Sequence, residues 1–375
     1  MTLFDAVVGQ PDAVVQLAAA AAGDSGHAWL VVGPAGSGRS IAARAFTAAL
    51  QCATREACGH CVACREVMAG THPDVVAVAT EGLSLGVRAM RALVPIALSS
   101  PSVGRHRVIV VEDADRLTES AANVLLKPLE EPGDATVFVL CAPSTEDVLP
   151  TIRSRCRLVT LRIPSVASVT ELLVGEGVDH ATAAFAAAAG QGHVGRARRL
   201  ARDEGARDRR TAVLRLPQEL GSVATALQAA ADLVTAADEE SAAMSGERDA
   251  AETASLKEAL GIGVRGVSAR GTAGVVKELE AEQRSRSTRA RRDVLDRALV
   301  DLAALYRDAL LVALHVGGSP VHADRADVVA ELARTTSAEV LLRRIDAVLG
   351  CREAIEANVA PLLAVEAMAL ALRTG

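Results

Sequence analysis

Aromatic side chains are nearly missing from this sequence: one Trp, one Tyr and four Phe in 375 residues. Half of the residues are apolar, so the core must be built mostly from Ala, Val and Leu. Long apolar runs are missing too. No window holds the roughly 18 consecutive charge-free apolar residues of a membrane span, and the opening MTLFDAVVGQ lacks a basic stretch ahead of an apolar one. A cytoplasmic protein with no membrane partner is expected. Lysine is the third scarcity, confined to Lys127, Lys257 and Lys277 among 40 basic residues. An arginine standing where a motif has lysine is therefore weaker evidence here than in an ordinary composition. The formal net charge of −6 argues against wholesale wrapping of nucleic acid, although a local basic patch would not register in that sum.

What the chain does have is length for two or three domains with a sizeable core, and a change of rhythm along it. The first half alternates short β-branched runs with helical patterns, as in a parallel sheet flanked by helices. Strands are expected at 29–32, 75–79, 108–112, 136–141 and 158–161, near-continuous apolar runs suited to burial on both faces. Helices are expected at 39–50, 86–98 and 118–130. After Pro164 the strand signals stop. A small helical set spans 166–204, with GQGHVG at 190–195 as a turn, and Ala, Leu and charge then recur at helical spacing to the C-terminus. The Ala-, Gly-, Glu- and Ser-rich stretch 235–275 reads as a flexible connection or loosely held arm.

Residues 33–40, GPAGSGRS, follow the first strand and precede a helix, the context of a phosphate-binding loop. Gly33, Gly36 and Gly38 would let backbone N–H groups approach a pyrophosphate at the helix N-terminus, and Ser40 would hold Mg²⁺. Arg39 stands in the lysine position, and its planar fork cannot fill the space of an ammonium. At the end of a neighbouring strand, VIVVEDAD offers Glu112 then Asp113, where an active ATPase of this type has Asp followed by Glu. Each carboxylate changes its reach by one methylene, enough to disturb catalytic positioning. A solvated strand end is the competing reading.

Four of the seven cysteines, Cys52, Cys58, Cys61 and Cys64, lie within thirteen residues. They can close tetrahedrally on structural Zn²⁺ as a Cys₄ set with no open position. The alternatives are a redox or iron–sulfur role and unliganded thiols. Arg55, His60 and Arg65 are the loop's possible cationic contacts for DNA, few for a groove reader. Cys141, Cys156 and Cys351 are expected as small buried hydrophobes. In TIRSRC at 151–156, Arg153 and Arg155 precede the last strand. By residue type they are either solvated or ion-paired arginines, or a finger inserted into a neighbouring nucleotide site.

Taken in order, VVGQPDAVVQL, HAWLVVGPAGSGRS, the four-cysteine loop with GTHPDV, VIVVEDADRLTESAANVLLKPLEEP, TIRSRC and NVAPLLAVEAMAL resemble the delta-prime subunits of the bacterial DNA polymerase III clamp loader, in the AAA+ superfamily. The resemblance is dense over about 4–165 and returns over about 277–370. It implies an α/β plus all-α chain. A Rossmann-like AAA+ core at 1–165 with an inserted Cys₄ zinc module at 52–64 would be followed by a helical lid at 166–211 and a helical collar domain at 212–375. It implies gamma/tau and delta subunits as partners, with the sliding clamp and primed DNA reached through the complex. Ser154, Arg155 and Cys156 match the family's SRC motif, Arg155 being the finger supplied in trans. A hydrolysing gamma/tau-type motor is the alternative. It would carry the P-loop lysine, an Asp–Glu pair, a polar sensor and a lid arginine, where this chain has Arg39, Glu112–Asp113, Pro143 and Gly195 with Arg196 one place along. Those four exchanges together imply lost hydrolysis, with ATP and Mg²⁺ binding left open. Pro128 implies a kink in the helix after the acidic pair.

Overall fold

The computed structural model describes residues 2–23, 26–80, 84–260, 273–318 and 320–375. They form two compact units, Met1–Arg202 and Asp203–Gly375.

The first unit is a five-stranded parallel sheet covered on both faces. Strands β1 (Ala28–Val32), β2 (Val75–Val78), β3 (Arg107–Val111), β4 (Thr136–Ala142) and β5 (Arg157–Thr160) lie in the order β2-β3-β4-β1-β5. Its helices are α1 (Pro11–Ala22), α2 (Arg39–Gln51), α3 (Val62–Ala69), α4 (Val87–Ala97), α5 (Glu119–Glu130) and the short α6 (Pro150–Arg153). Because successive strand residues point to opposite faces, the apolar runs serve two cores. Trp29, Val31, Val108, Val110, Val137, Val139 and Cys141 face Leu17 of α1 and Phe46 of α2. Leu30, Ile109, Val111, Phe138 and Leu140 face Met90 and Leu93 of α4 and Leu125 and Leu129 of α5. All five expected strands and the three expected core helices are present, with no end shifted by more than one residue.

Pro128 falls in the last turn of α5, which ends two residues later at Glu130, so the hydrogen bond it forfeits lies where the helix is already closing. Three helices complete the unit: α7 (Val166–Gly175), α8 (His180–Gly190) and α9 (Val194–Arg202). The GQGHVG segment is the turn between α8 and α9, with Gln191 and Gly192 both at positive φ.

The second unit is all-helical: α10 (Glu204–Glu219), α11 (Val223–Ala259), α12 (Ala273–Ala313), α13 (Ala326–Thr335), α14 (Ala338–Glu356) and α15 (Pro361–Thr374). Leu295, Leu299, Leu302 and Tyr306 of α12 pack with Leu341, Val348, Val365 and Met368 in one core. Two expectations are corrected here. The boundary at 211/212 falls inside α10, whose N-cap Asp203 accepts from the Ala206 N–H, so the chain divides at Arg202–Asp203 instead. The flexible stretch expected over 235–275 is helical from 235 to 259, the distal part of α11. It is stitched to α12 by Arg286, which pairs with Asp249 at 2.8 Å and Glu252 at 2.5 Å. Residues 261–272 of that stretch lie outside the described residues. No helix among the described residues is long and apolar enough to cross a membrane.

Candidate functional site

The phosphate-loop sequence leaves the C-terminal end of β1, a position where open parallel sheets bind ligands. Gly36 and Gly38 have φ of 83° and 95°, a region that glycine enters without steric cost. Gly38 is the N-cap of α2. Close approach adds a second demand at Gly36, where a Cβ would lie 2.4 Å from the Cα of His193. The turn between α8 and α9 thus rests on the loop. Arg39 Nη1 is buried with no hydrogen-bond partner, so a donor remains in the loop for an anion.

The acidic half of the site is occupied from within the chain. Ser40 Oγ donates to Glu112 Oε2 at 3.0 Å, and Arg44 pairs with Glu112 Oε1 at 3.2 Å. Asp113 Oδ2 accepts the Thr80 N–H at 2.9 Å. Burial pushes the Asp115 carboxyl up, with the Asp113 carboxylate adding to it and the charges of Arg116 and Arg39 opposing. The loop thus keeps its glycines and one guanidinium nitrogen without a partner, while Ser40 and Arg44 each contact one oxygen of Glu112. Nothing in the sequence reading assigned Arg44, although it lies four residues after Ser40 on the same face of α2.

In the cysteine loop, Cys52 caps the C-terminus of α2 and Cys61 caps the N-terminus of α3, its Sγ accepting from the Cys64 N–H. Arg55, Ala57 and Gly59 all have positive φ, which coils the intervening residues so that four sulfurs lie within 4.8 Å of one another. Cys52 Sγ is 3.6 Å from Cys58 Sγ and 3.9 Å from Cys61 Sγ. A tetrahedron with Zn–S near 2.3 Å has edges of about 3.8 Å, so the donor set fits zinc in both kind and spacing. Burial raises the Cys52 thiol, but hydrogen bonds from Cys58 and Thr54 outweigh it and hold it near 5. Burial drives Cys64 upward, and its Cys61 and Cys52 neighbours add to that. Two of the loop's candidate DNA contacts are spent locally: Arg55 Nη1 donates to the Ala22 carbonyl at 2.8 Å, and His60 Nδ1 lies 2.9 Å from the Cys58 carbonyl.

Of the SRC triplet, Ser154 is the C-cap of α6 and its Oγ donates to the Thr151 carbonyl at 3.1 Å. Cys156 packs against the core beside α5 and Ile152, and burial pushes its thiol to about 12, so it anchors the loop as an inert apolar group. Arg155 lies between them with its side chain one-third exposed. Its Nε donates to Glu130 Oε1 at 2.7 Å, Nη2 reaches the same oxygen, and Nη1 donates to the Thr151 carbonyl at 2.7 Å. Arg153 donates to the Thr145 carbonyl. Glu130 had no role in the sequence reading. The available signal was two carboxylates, Glu130 and Glu131, at the C-terminal end of a helix whose dipole disfavours them.

A scan of the whole chain against known families finds two matches: the family described as "DNA polymerase III, delta subunit" over residues 9–165, and "DNA polymerase III, delta subunit, C terminal" over 293–374. The chain belongs to the delta-prime/gamma/tau family of DNA polymerase III clamp-loader subunits. Among curated members, DNA polymerase III subunit delta' of Pseudomonas aeruginosa is 38% identical over 152 residues, covering 39% of this chain and 46% of that protein. The Escherichia coli delta' subunit is 39% identical over 160 residues, covering 41% of this chain and 48% of that protein. A gamma/tau subunit of Mycobacterium tuberculosis is 36% identical over 157 residues, covering 40% of this chain and 27% of its own length. The chain thus aligns with just under half of these delta' relatives. Among solved structures, a DNA polymerase III gamma subunit-related protein of Thermotoga maritima covers 97% of this chain and 99% of its own at 17% identity, with a TM-score of 0.39.

Proposed function

We propose that this family member is of the delta-prime type: a clamp-loader subunit that does not hydrolyse ATP itself and lends Arg155 to the ATP site of a neighbouring gamma/tau subunit. Identity with both branches is similar, so the distinction rests on the site. The observation that carries it is Arg44, whose guanidinium pairs with Glu112 Oε1 at 3.2 Å in a site that also has Arg39 in the lysine position and its two carboxylates in exchanged order. Hydrolysis of this type needs a hydroxyl and a carboxylate turned toward Mg²⁺ and a second carboxylate turned toward water. Here Arg44 sets a positive charge against the first carboxylate, the second accepts the Thr80 N–H, and both carboxylates have the wrong length for their places.

In this reading zinc at Cys52, Cys58, Cys61 and Cys64 is structural, tying α2 to α3. The helices α7–α9 act as the lid, the second unit contributes to a collar shared with gamma/tau and delta subunits, and the sliding clamp and primed DNA are met through the assembled loader. Arg155→Ala should leave assembly intact and lower the ATPase of the complex. Full activity from the Arg155→Ala loader would remove the finger role.

A further inference from the structure

Glu130 and Arg155 form a contact whose geometry bears on how the finger would operate. A guanidinium can fork a phosphate through its two terminal nitrogens or through the edge carrying Nε–H and one Nη–H. On Arg155 that edge is taken by Glu130 Oε1, while the other terminal nitrogen is held by the Thr151 carbonyl and by Ser154 Oγ at 3.2 Å. The same N–H groups cannot serve Glu130 and a phosphate at once. The carboxylate also cancels the charge that a finger must bring to the transition state.

Glu130 has no local structural reason to be acidic. It is the final residue of α5, where a negative charge opposes the helix dipole, and its side chain is about half exposed, 47%. A residue that breaks a local rule beside a functional group is more often there for function than for stability. At its other end, α5 starts just after the acidic segment Glu112–Asp115, its N-cap Thr118 accepting from the Ala121 N–H. One rigid helix therefore joins the degenerate nucleotide site to the partner of the finger.

We infer that Glu130 is a positioning residue that holds Arg155 in a retracted, charge-neutralised state, from which the finger is released only when a neighbour's phosphate competes for the same N–H edge. This rests on the reading of Arg155 as a trans finger. An exposed pair of this kind is weak enough to be exchanged, so it acts as a bias rather than a lock.

The test is steady-state ATP hydrolysis by the assembled loader carrying Glu130→Gln, Glu130→Asp, Arg155→Ala or Glu130→Gln with Arg155→Ala, with and without clamp and primed DNA. Glu130→Gln should raise the unstimulated kcat roughly two- to fivefold, the population shift such a pair commands. It should leave the KM for ATP unchanged and narrow the stimulation by clamp and DNA. Glu130→Asp should stay near wild type, and the gain should vanish in the Arg155→Ala background. A kcat that is unchanged or lowered in Glu130→Gln, with Arg155→Ala still defective, overturns the latch and spares the finger. An equal gain in both backgrounds overturns it too, because the effect then bypasses Arg155. If Arg155→Ala is itself fully active, finger and latch fall together.

Discussion

Ser40 Oγ lies 3.0 Å from Glu112 Oε2, a hydrogen bond between the two side chains that would hold Mg²⁺ in a working site of this kind. With Arg44 on the other carboxylate oxygen, each oxygen of Glu112 has a partner inside the chain. On the reading proposed above, this is a phosphate loop that no longer turns over ATP, and its consequences can be measured.

Restoring the lysine should not restore turnover. Arg39→Lys changes the phosphate contact but leaves Glu112, Asp113 and Arg44 as they are. The isolated, zinc-replete chain should hydrolyse ATP no faster than background with either residue at 39. A coupled assay showing turnover in the Arg39→Lys chain would mean that Arg39 alone is the block.

Zinc should be stoichiometric and structural. The purified chain should contain one equivalent, released by a thiol reagent or strong chelator, and Cys61→Ser should lower both zinc content and melting temperature. A loss of about 3 kcal/mol corresponds to roughly 6–12 °C in a domain of this size. Metal content that is unchanged in Cys61→Ser would dissolve the Cys₄ assignment.

Asp74 should make the first unit acid-sensitive. It is fully buried and accepts from the Ser102, Val103 and Gly104 N–H groups at 2.6–2.7 Å and from Ser102 Oγ at 2.8 Å, with Arg107 at 3.1 Å. Burial raises its carboxyl, but the hydrogen bonds from Gly104, Ser102 and Val103 win and hold it well below the ordinary range. A carboxyl depressed on folding adds stability in full above its unfolded pKa, about 4, and loses it as the pH falls toward the folded value. Asp74→Asn should therefore cost about 3 kcal/mol near neutrality, and the gap between the two proteins in urea melts should narrow below about pH 4. A constant gap from pH 7 to pH 2 would show that the charge on Asp74 is not what closes the 102–104 loop.

Much of this was legible in sequence because it is written in short-range patterns. Apolar runs such as VIVV and TVFVLC can satisfy two faces only as buried parallel strands, and cysteines three residues apart on a tight loop have few geometries open to them. The resemblance is what singled out Arg155 as a candidate, and the phosphate-loop motif singled out the glycines. The contacts that decide the chemistry were illegible for a physical reason: Glu130 to Arg155 and Glu112 to Arg44 join residues 25 and 68 positions apart, and only the tertiary fold sets such pairs. His193 against Gly36 is the same case. Residues 235–259 are helical and held by Arg286 of α12, whereas the GIGVRGVSARGTAG segment on which the flexible reading rested lies almost wholly outside the described residues.

The central claim is that this chain works through Arg155 and not through its own phosphate loop. The direct measurement compares ATP hydrolysis by loaders assembled with wild-type chain, Ser40→Ala or Arg155→Ala. The account predicts wild-type rates for Ser40→Ala and, for Arg155→Ala, loss of the turnover contributed by the one neighbouring site, where a finger is worth about 10³-fold or more. Loss of activity with Ser40→Ala and full activity with Arg155→Ala would contradict it, and would make this subunit a motor.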